Sequence, residues 1–247
     1  MFAVRDTKAK YRSSFFGVMW ALVPPIFAAV TLTAARNSGV LNFGETSIPY
    51  PAFVVLSVCL WQTFTAALTK PIVGLLAARS ILTKVNFPRE VIILSECAKL
   101  TISALIQALL AVAVFVYFKV PVAATAPLIV FSLLAMMLVG LTISILLAPV
   151  ALLYGDVSNA MPLIIGALFV ITPVVYVAPP PVGLFSWVVS INPLTPLMEV
   201  SRELVYAPVL NHLGGFLLVV ISTIPLACLA LVLFRLSMPI VVERWSS

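Results

Sequence analysis

The side chains that could perform acid–base, nucleophilic or metal chemistry are few and scattered. The chain has eight acidic residues, one histidine and three cysteines. Cys59, Cys97 and Cys228 lie far apart in apolar runs without zinc-ligand spacing, so we expect them to be buried apolar residues. The histidine, His212, stands in a polar turn. An ordinary solvated loop residue is as good an interpretation of it as a functional one. No paired carboxylates are apparent, so the sequence does not predict an enzyme and suggests no metal site.

Nucleotide chemistry is also not predicted for this chain. There is no GxxxxGK[ST] phosphate loop and no Gly-Lys dipeptide, and neither GxSxG nor HExxH occurs. We therefore expect that the chain does not hydrolyse ATP by itself. Uphill transport would need an ion gradient or a partner.

Composition indicates what kind of fold must position these residues. Of 247 residues, 63% are hydrophobic and 9% charged, and the mean hydropathy is +1.21. Soluble domains are about 45–50% apolar and about 25% charged. The apolar runs reach roughly 20 residues, the length with which a helix crosses a bilayer. The fold class is therefore predicted to be an all-α polytopic membrane protein.

We predict six spans in a single domain, residues 1–247. They are residues 16–35, 51–69, 91–118, 126–153, 161–177 and 213–234. The N-terminal segment, the 70–90 connection and the C-terminal tail carry most of the Lys and Arg, which places both termini in the cytoplasm. The net charge of +6 follows this bias, so no nucleic-acid partner is needed to explain it.

Three segments depart from plain spans. Residues 1–15 mix charged and aromatic residues as an amphipathic interfacial helix would, although plain positive-inside anchoring fits equally well. The 70–90 connection is basic and partly apolar, as expected of a docking surface for a soluble subunit. Residues 178–212 hold a ten-residue apolar run, too short to cross the membrane. We predict two re-entrant half-helices there, between spans five and six.

Glu96 and Lys99 are the charged residues that lie well inside a span. They are three apart, acid first, so they share a helix face and can pair. The simpler interpretation is a pair whose lysine snorkels to the inner headgroups. The functional interpretation is a polar contact with a pathway or partner helix.

Three stretches of the sequence resemble the ABC-2 type permeases of polysaccharide export, which include O-antigen and teichoic acid exporter subunits. The first is RDTKAKYRSS at residues 5–14. The second, LTKVNFPRE at residues 82–90, is similar to the family's coupling signature. The third is INPLTP at residues 191–196, continued by Glu199 and Arg202. The likeness covers essentially the whole chain.

This resemblance implies a half-transporter. Two copies of the chain would form a homodimeric channel above two soluble ATPase subunits, which would hold ATP and Mg, so no cofactor is expected on this chain. The implied cargo is a lipid-linked glycan exported across the bacterial inner membrane, with residues 178–200 as outer gate elements. The implied ATPase-coupling residues are Leu82, Lys84, Asn86, Phe87, Pro88, Arg89 and Glu90. The implied interface-helix residues are Lys8, Lys10, Tyr11 and Arg12.

A sugar path should offer aromatic faces, to which pyranose rings bind. Trp61, Phe64, Tyr176 and Trp187 lie in outward parts of spans or in gate segments, and we expect at least one of them to line the path. Placement in the aromatic belt or against lipid is the more ordinary explanation for each.

Three other functions compete with polysaccharide export. An ABC-2 exporter of drugs or small lipids would share the topology. A proton-coupled secondary carrier would need more intramembrane acids than Glu96, and an internal repeat. A membrane-embedded lipid-processing or glycosyl-transfer enzyme could use Glu199, Glu203 and His212, although no catalytic geometry is recognisable from their spacing.

Overall fold

The computed structural model describes residues 22–39, 44–83, 89–178, 183–207 and 209–246, and these are helical with short connections. The helices in chain order are α1 (Val23–Asn37), α2 (Tyr50–Ala77), α3 (Arg79–Leu82), α4 (Glu90–Tyr117), α5 (Ile129–Leu153), α6 (Gly155–Ile171), α7 (Leu184–Ile191), α8 (Leu194–Tyr206) and α9 (Leu213–Ser246). A 3₁₀ turn, Ala126–Leu128, precedes α5. The all-α class predicted from the sequence is confirmed for these residues.

Within the described residues, four helices are long and apolar enough to cross a membrane. They are α2, α4, α5 with its preceding 3₁₀ turn, and α9. α6 has 17 residues and α1 is described over 15, whereas each of the four has 28 or more. The structure therefore supports a polytopic membrane protein with four spanning helices in its described part, where six were predicted.

α2 is the central helix of the bundle. Its side chains are buried on nearly all sides, because neighbouring helices surround it. α1, α4 and α5 pack along α2, while α9 packs on α5. Ile72 and Leu75 of α2 belong, together with residues of α5 and with Phe234 and Met238 of α9, to a second core cluster. The end of the bundle that contains this cluster, which includes Leu82, is called the Leu82 end. The opposite end, where α9 begins, is called the His212 end.

α2 continues eight residues beyond the expected span end at residue 69. Pro71 lies inside the helix, where it removes one backbone hydrogen bond. Ile72 and Leu75 are buried on the next turn, and their burial offsets that loss. The first part of the expected 70–90 connection is therefore helix, followed by the single turn of α3.

The fifth predicted span, residues 161–177, is shifted in the structure. α6 begins at Gly155 with Asp156 in its first turn, where a negative charge is favourable, and ends at Ile171. Thr172 precedes Pro173 and has ψ 132°, an extended conformation that a following proline favours. Residues 172–178 thus form a connection instead of the end of a span.

Two short helices, α7 and α8, occupy the region where two half-helices were expected. α7 follows Gly183, whose φ of 101° and ψ of 166° are essentially restricted to glycine. Asn192 and Pro193 separate α7 from α8. α7 leaves most of its apolar side chains exposed, whereas α8 is largely buried against α2, α5 and α9.

Candidate functional site

The connection 172–178 is fastened to the bundle by side chains from three helices or their ends. Arg202 Nη1 of α8 donates to the Pro173 carbonyl at 3.0 Å, and Tyr50 Oη of α2 donates to the Val175 carbonyl at 2.8 Å. Asn192 Nδ2 donates to Thr172 Oγ1 at 2.8 Å. Among the described residues, 172–178 and 183–206 are richest in buried polar contacts. We call them the gate region, after the role that the resemblance implied for residues 178–200.

Arg202 is the central cation of the gate region. It is 4% exposed, and its guanidinium carbon lies 4.7 Å from the centre of the Phe53 ring on α2. A buried arginine keeps its charge only where hydrogen bonds and nearby carboxylates compensate the loss of water. Glu199 and Glu203, on the same helix, provide that compensation.

His212 joins the start of α9 to α8. Its Nδ1 lies 2.7 Å from Glu203 Oε1, and its Nε2 lies 3.3 Å from Glu199 Oε2. Glu203 Oε2 accepts a hydrogen bond from the Asn211 backbone N–H at 3.0 Å. Each ring nitrogen of His212 therefore faces a different carboxyl group of α8.

The Glu199 carboxyl is largely removed from water in this clasp. Burial raises the pKa of Glu199, while the positive charges of His212 and Arg202 act to lower it. The net effect is upward, so Glu199 takes up a proton at a higher pH than an ordinary glutamate. The sequence placed Glu199, Glu203 and His212 in one segment but gave no geometry for them. The structure brings them together as an ion-pair clasp.

A polar network crosses from α2 to α4 between the spanning helices. Gln107 Nε2 donates to Gln62 Oε1 at 2.8 Å, and Thr63 Oγ1 lies 3.4 Å from Gln107 Oε1. Gln107 is 6% exposed. Sequence reasoning missed Gln107, although a glutamine within an apolar span was the available signal.

Glu96 and Lys99 are in direct contact on α4. Lys99 Nζ donates to Glu96 Oε1 at 2.9 Å. Glu96 is buried against α2 at Gly74, so close that a methyl group there would lie 2.9 Å from Glu96 Cγ. The pair thus lies against the central helix.

At the Leu82 end, three of the expected coupling residues are described. Leu82 is buried in the second core cluster, Arg89 is half-buried, and Glu90 Oε1 accepts from Arg235 Nε of α9 at 2.9 Å. Lys84, Asn86, Phe87 and Pro88 lie outside the described residues, as do Lys8, Lys10, Tyr11 and Arg12 of the expected interface helix.

The four aromatic candidates for the glycan path are separated into two groups. Phe64 is 1% exposed and Trp61 is buried beside it, packed on Phe169, so neither presents a ring face at the surface of the subunit. Tyr176 is half-buried, with its Oη donating to the Val170 carbonyl at 2.9 Å. Trp187 is 60% exposed on α7. Trp61 and Phe64, expected in the outward part of a span, are therefore enclosed by the protein in this structure.

Among the described residues, no three His, Cys, Asp or Glu side chains are grouped as metal ligands. Cys59 is buried as expected, Cys97 is half-buried and Cys228 is exposed on α9. The arrangement in the described part of the chain is therefore an ion-paired gate region at one end and charged helix termini at the other.

Comparison with known proteins gives three relatives, and no protein-family profile matches the chain. Two are O-antigen export system permease proteins RfbA of Klebsiella pneumoniae. One is 27% identical over 88% of this chain and 86% of its own length, the other 26% identical over 84% and 80%. An RfbA protein of the same designation from Myxococcus xanthus is 22% identical over 82% of this chain and 77% of its own length. The resemblance to polysaccharide-export permeases is thereby confirmed along most of the chain.

Proposed function

We propose, from the homology of this chain to O-antigen export permeases, that it is the membrane-spanning subunit of an ATP-driven exporter of an O-antigen-like, lipid-linked polysaccharide. The observation that carries the proposal is the similarity to three such permeases over more than four-fifths of the chain. The four spanning helices agree with it, because a permease must cross the membrane several times.

The Leu82 end is the side on which we place the ATPase partner. Glu90 at the start of α4 and Arg235 near the end of α9 are paired there, and Arg79 lies 5.0 Å from the ring centre of Trp245. Movement of α3 by a docked subunit would therefore be transmitted to both α4 and α9. Residues 82–90, including the segment outside the described residues, form the proposed coupling element, and both termini are cytoplasmic in this arrangement.

The His212 end would then face the outside, with α7 and α8 as re-entrant half-helices in the outer leaflet. The exposed apolar side chains of α7, Trp187 among them, support this placement, because tryptophan is enriched at membrane–water interfaces. We further propose that α1 and α6 belong to two additional spans and that two copies of the chain form the channel.

Export of drugs or small lipids by the same kind of complex is the second candidate, but the relatives do not favour it. A proton-coupled carrier fits less well, because the one buried acid in the spanning helices, within the described ranges, is Glu96, and it is paired. A relay needs a series of such groups.

The test is to purify the chain together with its soluble partner and to measure ATPase activity in lipid vesicles. Export is then followed as O-antigen at the surface of cells that carry or lack the gene. ATP-dependent glycan export that requires both proteins supports the proposal. Glycan movement by this chain alone, driven by a pH or sodium gradient, would contradict it.

A further inference from the structure

A cavity of about 220 Å³ lies in the wall of the bundle between α4 and α5, towards the His212 end. Its floor is formed by buried residues of α2, among them Leu56 and Leu60. Val112 and Val116 of α4 and Val122 of the following connection border it and are exposed. The cavity therefore opens sideways, at the level of helices that span the membrane.

The cavity exists because α4 and α5 both pack on α2 without closing on each other at this level. Leu100 of α4 and Met137 of α5 meet in a small buried cluster on the Leu82 side. Beyond it, α4 lines the gap with Ala104, Ala108 and Ala111. Small residues in membrane helices usually allow a neighbouring helix to approach closely. Here the space beside them is open instead.

The lining specifies the chemistry of an occupant. Thr63 and Gln107 are the polar side chains in the lining, and both are engaged within the protein. The Thr63 hydroxyl donates to the Cys59 carbonyl at 3.0 Å, and the Gln107 amide donates to Gln62. A stable water molecule needs two to four polar partners, and a sugar needs more. A hydrocarbon chain needs none and restores the dispersion contacts that an empty cavity forfeits.

We propose that this cavity binds one acyl chain of a bilayer phospholipid, which enters from the side between α4 and α5, past Val112 and Val116. Phospholipid is the apolar molecule that surrounds the opening at the highest concentration, because the opening lies between two spanning helices. The bound chain fills the gap between α4 and α5 on the surface of α2. This inference depends on the chain being in a membrane and not on the export function, so the two can fail separately.

The experiment uses the full chain in phosphatidylethanolamine and phosphatidylglycerol vesicles that contain a phosphatidylethanolamine with a photoactivatable diazirine on one acyl chain. Adducts are located by mass spectrometry of peptides. We expect adducts on the cavity residues Ala104, Ala108 or Ala111 as well as on the exposed Leu109. Ala108→Phe, which fills the cavity, should lower the cavity adducts about tenfold, since losing two buried methylenes has about that effect.

Leu109→Phe is the matched control on the exposed face of α4 and should leave the cavity adducts unchanged. Ala111→Leu is a second filling variant, to be used if Ala108→Phe does not fold. Labelling of Leu109 without labelling of the cavity residues would overturn the proposal. Disappearance of the cavity adducts when an equimolar polyprenyl phosphate is added would also overturn it, because this would show an isoprenoid occupant. Reaction of Cys59 with a membrane-impermeant maleimide would show a water-filled cavity and would overturn it as well.

Discussion

Gly140 of α5 lies against the main chain of Phe64 in α2. A methyl group built on Gly140 would be 2.7 Å from the Phe64 carbonyl oxygen and 2.8 Å from Ala67 Cβ. The backbones of the two helices are therefore in contact at a point where only hydrogen fits. This contact fixes the separation of α5 from the central helix.

Gly140→Ala should destabilise the protein. The added methyl meets backbone on α2, which cannot move without separating the helices, so we expect a loss of about 1–3 kcal/mol. The measurement is the midpoint of thermal unfolding in detergent. Gly166→Ala in α6 is the control, because no atom beyond its own turn of helix lies within 4 Å of its Cβ position. Equal midpoints for the two variants would show that the α2–α5 contact is looser than described.

Arg202→Met should weaken the gate region. It leaves the Pro173 carbonyl without its donor, at a cost of about 1–3 kcal/mol in a buried site. Arg235→Met is the control, since its pair with Glu90 is exposed and is worth about 0–1 kcal/mol. Unfolding in detergent compares the two. If Arg235→Met proves the more harmful, Arg202 does not anchor residues 172–178.

Glu199→Gln should change the pH dependence of stability. Because burial raises the pKa of Glu199, the folded state binds this proton more tightly than the unfolded chain does. The contribution of this group to the free energy of unfolding therefore increases as pH falls through the raised pKa, and it is least favourable above that value. The free energy of unfolding of the glutamine variant minus that of the parent chain should therefore be larger at pH 8 than at pH 4. A constant difference across this range would contradict the assignment.

Arg89→Ala should reduce the stimulation of the partner ATPase while leaving membrane insertion intact. Arg89 is half-buried at the start of α4 and lies in the proposed coupling element. Phe87→Ala tests the same element from the segment outside the described residues. ATPase activity in vesicles and the amount of inserted protein are measured together. Loss of insertion would show a structural role instead.

Leucine substitution of Tyr176 and Trp187 together should lower surface glycan, because these are the aromatic candidates whose side chains are accessible. The matched double variant Trp61→Leu and Phe64→Leu should lower surface glycan only by lowering the stability and hence the abundance of the protein, since both residues are buried. Surface O-antigen and protein abundance separate the two effects. Normal glycan after the Tyr176 and Trp187 changes would remove both from the path.

The sequence located the helices of this protein best where hydrophobicity alone sets their ends. The predicted spans 91–118 and 126–153 differ by at most one residue from α4 and from α5 with its 3₁₀ turn. Where tertiary packing decides, the prediction was less accurate. α2 runs through Pro71 because its next turn is buried in the second core cluster, and residues 172–178, which follow α6, are held by Arg202 and Asn192.

Amino-acid order by itself determined that this chain is a helical membrane protein without the common nucleotide-binding motifs, and it carried the resemblance to polysaccharide-export permeases. These properties follow from local composition and short motifs, which need no knowledge of neighbours. Only the tertiary structure decided that Phe64 is enclosed, that His212 lies between two glutamates, and that α4 and α5 leave a cavity beside α2. Such features depend on which faces of separate helices meet, and hydrophobicity cannot specify this where every face is apolar.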